Sequence, residues 1–285
     1  MILNALKKQQ NFNDSEKLLA DYILTNTQEV LDASIQELAA KTFVATSTIY
    51  RLCRKIGLKG YKDFKIKLSG EWQRSGTANQ FIDPDFPFDK EDSNRAIAKK
   101  LLDLSIDSLK YTEHLMTDAM LDQAISYLNS AKKIGIFGYG STYISALNFQ
   151  NKLMKIDKRI ELTTVPGESH QLAFQFGEGD CAIILSYSGQ TKYIYEITKL
   201  LKQRKTKIIA ITSNSASHIA LLSDLSIEIS KQESQSIKLA TFSSQLAIDY
   251  VLNTLYSCLY VNNFESNQQT RIASELALID ERFFD

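Results

Sequence analysis

The stretch Asp180–Thr191, DCAIILSYSGQT, decides the fold. Its apolar run, Cys181 to Leu185, reads as a strand buried on both faces. The hydroxyl-rich turn that follows, SYSGQT, leads into a segment with helical character. Three hydroxyl side chains and a glycine between a buried strand and a helix form a cradle for an anion, because helix-start amides and hydroxyls both donate.

Working outward, four more β-rich apolar runs surround this one: KKIGIFG, RIELTTV, TKIIAITS and LSIEIS. Mostly helical segments separate the first four runs of the series. Strands alternating with helices predict βαβ units with right-handed crossovers and helices on both faces of the sheet. The expectation over residues 125–285 is a doubly wound, parallel, five-stranded sheet in a Rossmann-like αβα sandwich, with a long apolar helix at about 239–262. Residues 1–75 read instead as an all-α domain of short helices. In NDSEKLLADYILTN, Leu18, Leu19, Tyr22 and Ile23 share one predicted face, with Asp14 or Ser15 as cap. Ser34 and Glu37 stand at the spacing of a capping box. Composition changes over Arg74–Asn94, where Pro84, Pro87 and Gly76 lie among polar residues. That change marks a boundary near 75–90 and makes 76–124 a linker with a connecting helix.

The chain has 285 residues, 44% hydrophobic and 23% charged, with a formal net charge of zero. These values belong to a globular protein of about two domains. Cys53, Cys181 and Cys258 form no C-x-x-C pair, which argues against a disulfide framework or a zinc site; no metal and no cofactor is expected. No apolar run reaches membrane-spanning length, and the first residues carry their charges in the wrong order for a secretory signal. A reducing cytoplasm, with no membrane partner, is the expected setting.

Neutrality conceals local asymmetry. Between Lys41 and Lys67 there are eight Lys or Arg and one acid, Asp63. In TSTIYRLCRKI, Ile49, Leu52, Cys53 and Ile56 form a stripe for the core. The other face offers Ser47, Tyr50, Arg51, Arg54 and Lys55. A basic helix face alone is as readily a solvated surface. Preceded by a capped helix and a short turn, it has the arrangement of a helix-turn-helix, whose second helix lays its N-terminal residues against base edges. Ser47, Tyr50 and Arg51 are the candidates for base contact; Arg54, Lys55, Lys59 and Lys62 are candidates for phosphate contact.

The run from Ser34 to Leu68, SIQELAAKTFVATSTIYRLCRKIGLKGYKDFKIKL, resembles the N-terminal domain of the RpiR/MurR-type bacterial transcription regulators. Their pattern is roughly S-I-x-E-L-A, then V-S-x-A-T-[IV]-x-R-[FL]-x-[KR]-x-[LI]-G, then G-[FY]-x-[DE]-F-K. Ala45 departs from it, standing where the family usually has the Ser that caps the second helix. The reading is that Thr46 or Ser47 caps one register later, which adds Thr46 to the DNA-facing set.

GIFGYGST, ending the first strand, and SYSGQT, ending the third, should open on one pocket at the carboxyl ends of the strands. Gly135 and Gly140 have the spacing of a Walker loop, but Ser141 stands where its lysine should be, which argues against a nucleoside triphosphate. Tyr143 replaces the third glycine of a dinucleotide fingerprint, leaving only a bare G-x-G, and Glu161 lies too early for its ribose-binding acid. What remains is a phosphate held by hydroxyls and amides, without lysine or metal. A Ser-rich turn alone is more often a helix cap; two such loops in register favour the pocket.

About 125–262 looks like a SIS (sugar isomerase) domain, with its G-x-[GS]-x-S and S-x-S-G-x-T loops. The resemblance implies that Ser141, Thr142, Ser186, Tyr187, Ser188 and Thr191 bind a phosphosugar, and that Glu233 faces the ligand. His170 is placed on the same rim by its position after the second strand. His218 and Lys238 receive no role. Together the two resemblances imply a regulator of carbohydrate metabolism: double-stranded DNA bound at an inverted repeat, a phosphorylated sugar as effector, and a homodimer or homotetramer. The alternative is a phosphosugar isomerase with an appended helical domain; Glu168, His170 and Glu233 can be nominated for it but form no convincing acid–base set. A cell-envelope sugar-binding module would leave the basic helix unexplained.

Overall fold

The computed structural model describes residues 2–74, 82–165, 167–234 and 237–279. Residues 75–81, the end of the expected first domain and the start of the expected linker, lie outside them. The chain divides into two compact units, Met1–Asp83 and Pro84–Asp285.

The first unit is helical: α1 (Ile2–Lys8), α2 (Asp14–Thr25), α3 (Thr27–Asp32), α4 (Ile35–Thr42), α5 (Thr46–Lys55) and α6 (Tyr61–Arg74). Its core joins Leu6, Leu19, Ile23, Leu38, Ile49, Leu52, Phe64 and Leu68. The Ser34–Glu37 capping box is present, with Ser34 Oγ accepting from the Glu37 amide at 3.2 Å. For α2 the cap is Asn13, not Asp14 or Ser15, because Asn13 finds Glu16 three residues on and the two close a second capping box. The buried face of α2 is correspondingly Glu16, Leu19, Ala20 and Ile23; Leu18 is exposed. In α5 the expected stripe is confirmed: Ile49, Leu52 and Cys53 are buried and Ile56 is partly so. Its N-cap is Ala45, and no side chain caps it; neither Thr46 nor Ser47 shifts the cap onward.

The second unit opens with α7 (Asn94–Leu115) and α8 (Asp118–Ser130), then alternates β1 (Ile134–Phe137), α9 (Ser141–Met154), α10 (Ser169–Phe174), β2 (Cys181–Leu185), α11 (Lys192–Gln203), β3 (Lys207–Thr212), α12 (His218–Leu222) and β4 (Leu225–Glu228). The long α13 (Phe242–Asn262) and α14 (Phe264–Ile279) close it. The sheet is parallel in the order β1-β2-β3-β4. Side chains alternate across it. Cys181, Ile183 and Leu185 face a core built with α8, α9 and α13. Ala182 and Ile184 face one built with residues of α10, α11 and α12.

Four strands form where five were expected. RIELTTV contributes a single bridge, Gly135 to Glu161, closed by Ile136 N to Glu161 O (3.0 Å) and Glu161 N to Ile134 O (2.7 Å). Lying at the edge, it has a hydrogen-bonding neighbour on one side only. Counting this edge, the chain order across the sheet is second, first, third, fourth, fifth. The reversal falls between β1 and β2, where open α/β sheets bind their ligands.

Residues 84–131 belong to the second unit. On α7, Ser108 Oγ donates to Ser243 O (3.1 Å) and Thr112 Oγ1 accepts from Ser230 N (3.1 Å). Buried Asp85 accepts from the Ser234 amide through Oδ1 and from the Leu239 amide through its carbonyl.

Candidate DNA-contacting helix and candidate anion site

In the first unit, α4 and α5 are joined by a three-residue turn in which Phe43 takes a left-handed φ of 54°. The face of α5 that leaves the core carries Thr46, Ser47, Tyr50, Arg51 and Arg54, all exposed. Arg54 Nη2 donates to the Tyr50 hydroxyl (3.1 Å), with its guanidinium 5.4 Å from the ring centroid. The Tyr50 hydroxyl in turn reaches Lys59 O (3.4 Å). Arg51 donates to Thr48 Oγ1 (3.3 Å). Several of the basic residues are engaged within the unit: Lys41 pairs with Glu29 and Lys67 with Asp63, and Lys65, still charged, donates to Ala33 O. Among the described residues, Arg51, Arg54, Lys59 and Lys62 have no acidic partner and form the open cationic surface. Lys55 departs from the expectation. Its Nζ lies 2.6 Å from Glu16 Oε2 and 2.7 Å from Asn11 O, so its charge is spent on a buried carboxylate.

In the second unit, the loops after β1 and β2 meet in a cavity of about 240 Å3. Ser141, Thr142, Ser186, Tyr187, Ser188 and Thr191 all line it, as the two loops predict. Gly140 makes the first turn possible, with φ 63° and ψ −129°, a conformation open to glycine and little else. Gly189 does the same in the second: its φ is +65°, and a Cβ there would stand 2.0 Å from Ser217 Oγ. Neither α9 nor α11 has a side-chain cap, so their first-turn amides are unclaimed by side chains at the end of the helix dipole. The hydroxyls differ in their freedom. Thr142 Oγ1 is engaged by Tyr139 N (2.9 Å), Tyr139 O (3.0 Å) and Leu185 O (3.3 Å), which ties the first loop to β2. Ser188 Oγ accepts from Gln190 N (3.1 Å), and Ser186 and Thr191 touch weakly at 3.4 Å. Ser141 Oγ has no bond to another described residue.

The other wall was missed by sequence reading. Lys238, Thr241, Ser244, Gln245 and Ile248 line it, from the start of α13 and the segment before it. Lys238 lies 4.8 Å from the Tyr187 ring centroid and donates to Glu233 Oε2 at 2.9 Å. A sequence signal existed: a lysine five residues past an acid, close before a long helix.

Two expected ligand contacts do not stand in the cavity. Glu233, with a fully buried side chain, serves as the cap of α13. Its Oε1 accepts from Ser243 N (2.6 Å), Ser243 Oγ (3.0 Å) and Ser244 N (2.9 Å); its Oε2 accepts from Ser244 Oγ (2.5 Å) and Lys238. Burial alone raises this carboxyl, but the bonds from Ser244 and Lys238 outweigh it and hold the group below its ordinary value. Tyr187 supports the same corner, its hydroxyl donating to Glu233 O (3.0 Å) and accepting from Glu233 N (2.9 Å). His170 sits on α10, edge-on to Tyr193 at 5.0 Å, and does not line the cavity. Tyr193 lies between it and the first loop, its ring 6.0 Å from that of Tyr139, so His170 stands one ring behind the cavity lining.

Among the described residues no cluster of His, Cys, Asp and Glu could hold a metal, and no helix is long and apolar enough to cross a membrane. Burial pushes the thiols of Cys53 and Cys181 up, to about 11 and about 12, so neither is a ready nucleophile.

A capped helix, tight turn and basic helix in one unit, with a hydroxyl-lined anion cavity at the switch point of the other, define a DNA-binding regulator joined to a sugar-phosphate domain. Residues 2–75 match the helix-turn-helix domain of the rpiR family and residues 127–256 match the SIS domain. The chain belongs to the rpiR family of helix-turn-helix regulators that carry a SIS domain. It is 24% identical to the HTH-type transcriptional regulator HexR of Escherichia coli, over 93% of this chain and 92% of the relative. The HexR of Pseudomonas aeruginosa is 28% identical over 85% and 84% of the two chains. The fold is also that of the Vibrio vulnificus NanR protein, solved in complex with ManNAc-6P: TM-score 0.61 and 22% identity, with both chains covered in full.

Proposed function

We propose that this chain is a transcription regulator, not an isomerase, and that a phosphorylated sugar in the second unit alters how α5 binds DNA. The observation that carries this is the lining of the cavity. Hydroxyls, helix-start amides and one lysine suit a phosphate, while no carboxylate or imidazole among the described residues lines it. Moving a proton between neighbouring sugar carbons needs such a group within hydrogen-bond reach. Glu233, the best nominee, already accepts five hydrogen bonds. ManNAc-6P in the NanR relative supports a sugar phosphate as the class of effector. The effector changes DNA affinity only by binding the DNA-competent and incompetent states unequally. The reading places the chain in the cytoplasm as a symmetric oligomer, whose paired heads read an inverted repeat.

The test begins with duplexes selected from a random pool by the wild-type chain. Arg51→Ala is expected to weaken binding to the selected sequence by about 1–3 kcal/mol, roughly 5- to 160-fold, and to relax its base preference. Undiminished affinity and preference in a gel shift would remove Arg51 from the base-reading set. Sustained interconversion of hexose phosphates by the purified chain would restore the isomerase reading.

A further inference from the structure

Lys55 ends α5 on the side that sequence reading assigns to DNA, yet the structure turns it the other way. Its ammonium bonds Glu16 Oε2 at 2.6 Å and Asn11 O at 2.7 Å. Glu16 is 1% exposed, and the same Oε2 accepts from Asn13 N at 2.9 Å, while Asn13 Oδ1 takes the Glu16 amide at 2.9 Å. The Glu16–Lys55 pair thus fastens three things: Oε2 holds the start of α2 and the last turn of α5, and the ammonium also holds the turn after α1. The carboxyl lies below its ordinary value because Asn13 and Lys55, with a smaller contribution from Arg51, outweigh its burial.

We infer that Glu16 and Lys55 are positioning residues for DNA recognition, holding α5 at the angle that presents Ser47, Tyr50 and Arg51, and that Lys55 is not a phosphate contact. This rests on α5 being the helix that meets DNA. For Lys55 to swing onto a phosphate it would have to leave a buried carboxylate unpaired, which costs more than a single exposed ion pair returns. Arg54, one residue earlier, has no acid partner among the described residues and is the contact that Lys55 is not.

Two readouts separate positioning from contact. Each phosphate contact contributes about 0.9 to the slope of log K against log salt for duplex DNA. Glu16 is an acid, so its removal by field alone should tighten binding to a polyanion; a positioning role predicts the reverse. The full-length chain is titrated with a mixed-sequence duplex across a salt series, and with the selected duplex at one salt concentration. Glu16→Gln and Lys55→Gln are each expected to weaken binding to the selected duplex about tenfold, with the salt slope unchanged. Lys55→Arg should recover most of the loss, and Arg54→Gln should lower the slope by about one.

The proposal is overturned if Lys55→Gln lowers the slope by about one, or if Glu16→Gln tightens binding. Should Glu16→Gln fail to fold, the slope of Lys55→Gln still decides. A wild-type chain with no salt-dependent binding would overturn the DNA reading of α5 itself, and this inference with it. Wild-type binding with variants that match it would overturn only the inference.

Discussion

Glu233→Ala is expected to destabilise the second unit by about 3–5 kcal/mol, the loss seen when one partner of a buried charge pair is removed. The substitution strips the acceptors from the amides of Ser243 and Ser244 and leaves the Lys238 ammonium, 20% exposed, without its carboxylate. For a unit of this size the melting temperature should fall by roughly 10 °C. The pH dependence carries a sign. The Glu233 carboxyl is held below its ordinary value of 4.5 in the folded chain. Its contribution is therefore fully present above about pH 4.5 and is lost as the pH falls through the lower folded value. Thermal melts of wild type and variant should converge as the solution is acidified below that point. A gap that stays constant with pH, or one under 1 kcal/mol, would show that Glu233 does not hold the start of α13.

The second large effect belongs to the opposite wall of the cavity. Ser188→Ala with Thr191→Ala is expected to weaken sugar-phosphate binding by at least a hundredfold, since each hydrogen bond to a charged group is worth about 1.5–3 kcal/mol. The fold should survive, because among the described residues the only firm contact given up is the 3.1 Å bond from Gln190 N to Ser188 Oγ. Calorimetry against the sugar phosphate that raises the wild-type melting temperature most provides the measurement. DNA affinity without sugar should be unchanged. Binding within threefold of wild type would move the phosphate away from these loops; a panel in which no sugar phosphate stabilises the chain would end the effector reading.

What could be read in advance, and what could not, divides by distance along the chain. The stripe Ile49–Leu52–Cys53 and the Ser34–Glu37 box are local patterns with fixed spacing, and both were legible. So were the buried strands, whose two faces are both apolar. RIELTTV had strand composition but only an edge position, which composition does not encode. The two hydroxyl loops were legible because each is short and ends a strand. Glu233 was found by position and misread by role: its acceptors are satisfied by Ser243 and Ser244, ten and eleven residues on. The pairing of Lys55 was not legible because its partner Glu16 lies 39 residues earlier, and nothing in either segment announces it. His170 stands at the right end of the sheet, but α10 sends it toward Tyr193.

Ser108 and Thr112 on α7 grip the backbone at Ser243 and Ser230, the two ends of the segment that bears Glu233 and Lys238. The sugar-responsive half is for this reason not a cassette that starts where the strands start. A chimera that joins a foreign head at residue 125 would inherit a binding wall with its brace left behind. One joined just ahead of Pro84 would carry Asp85, α7 and the wall as a piece, and is the transplant with which to build new sugar-controlled switches.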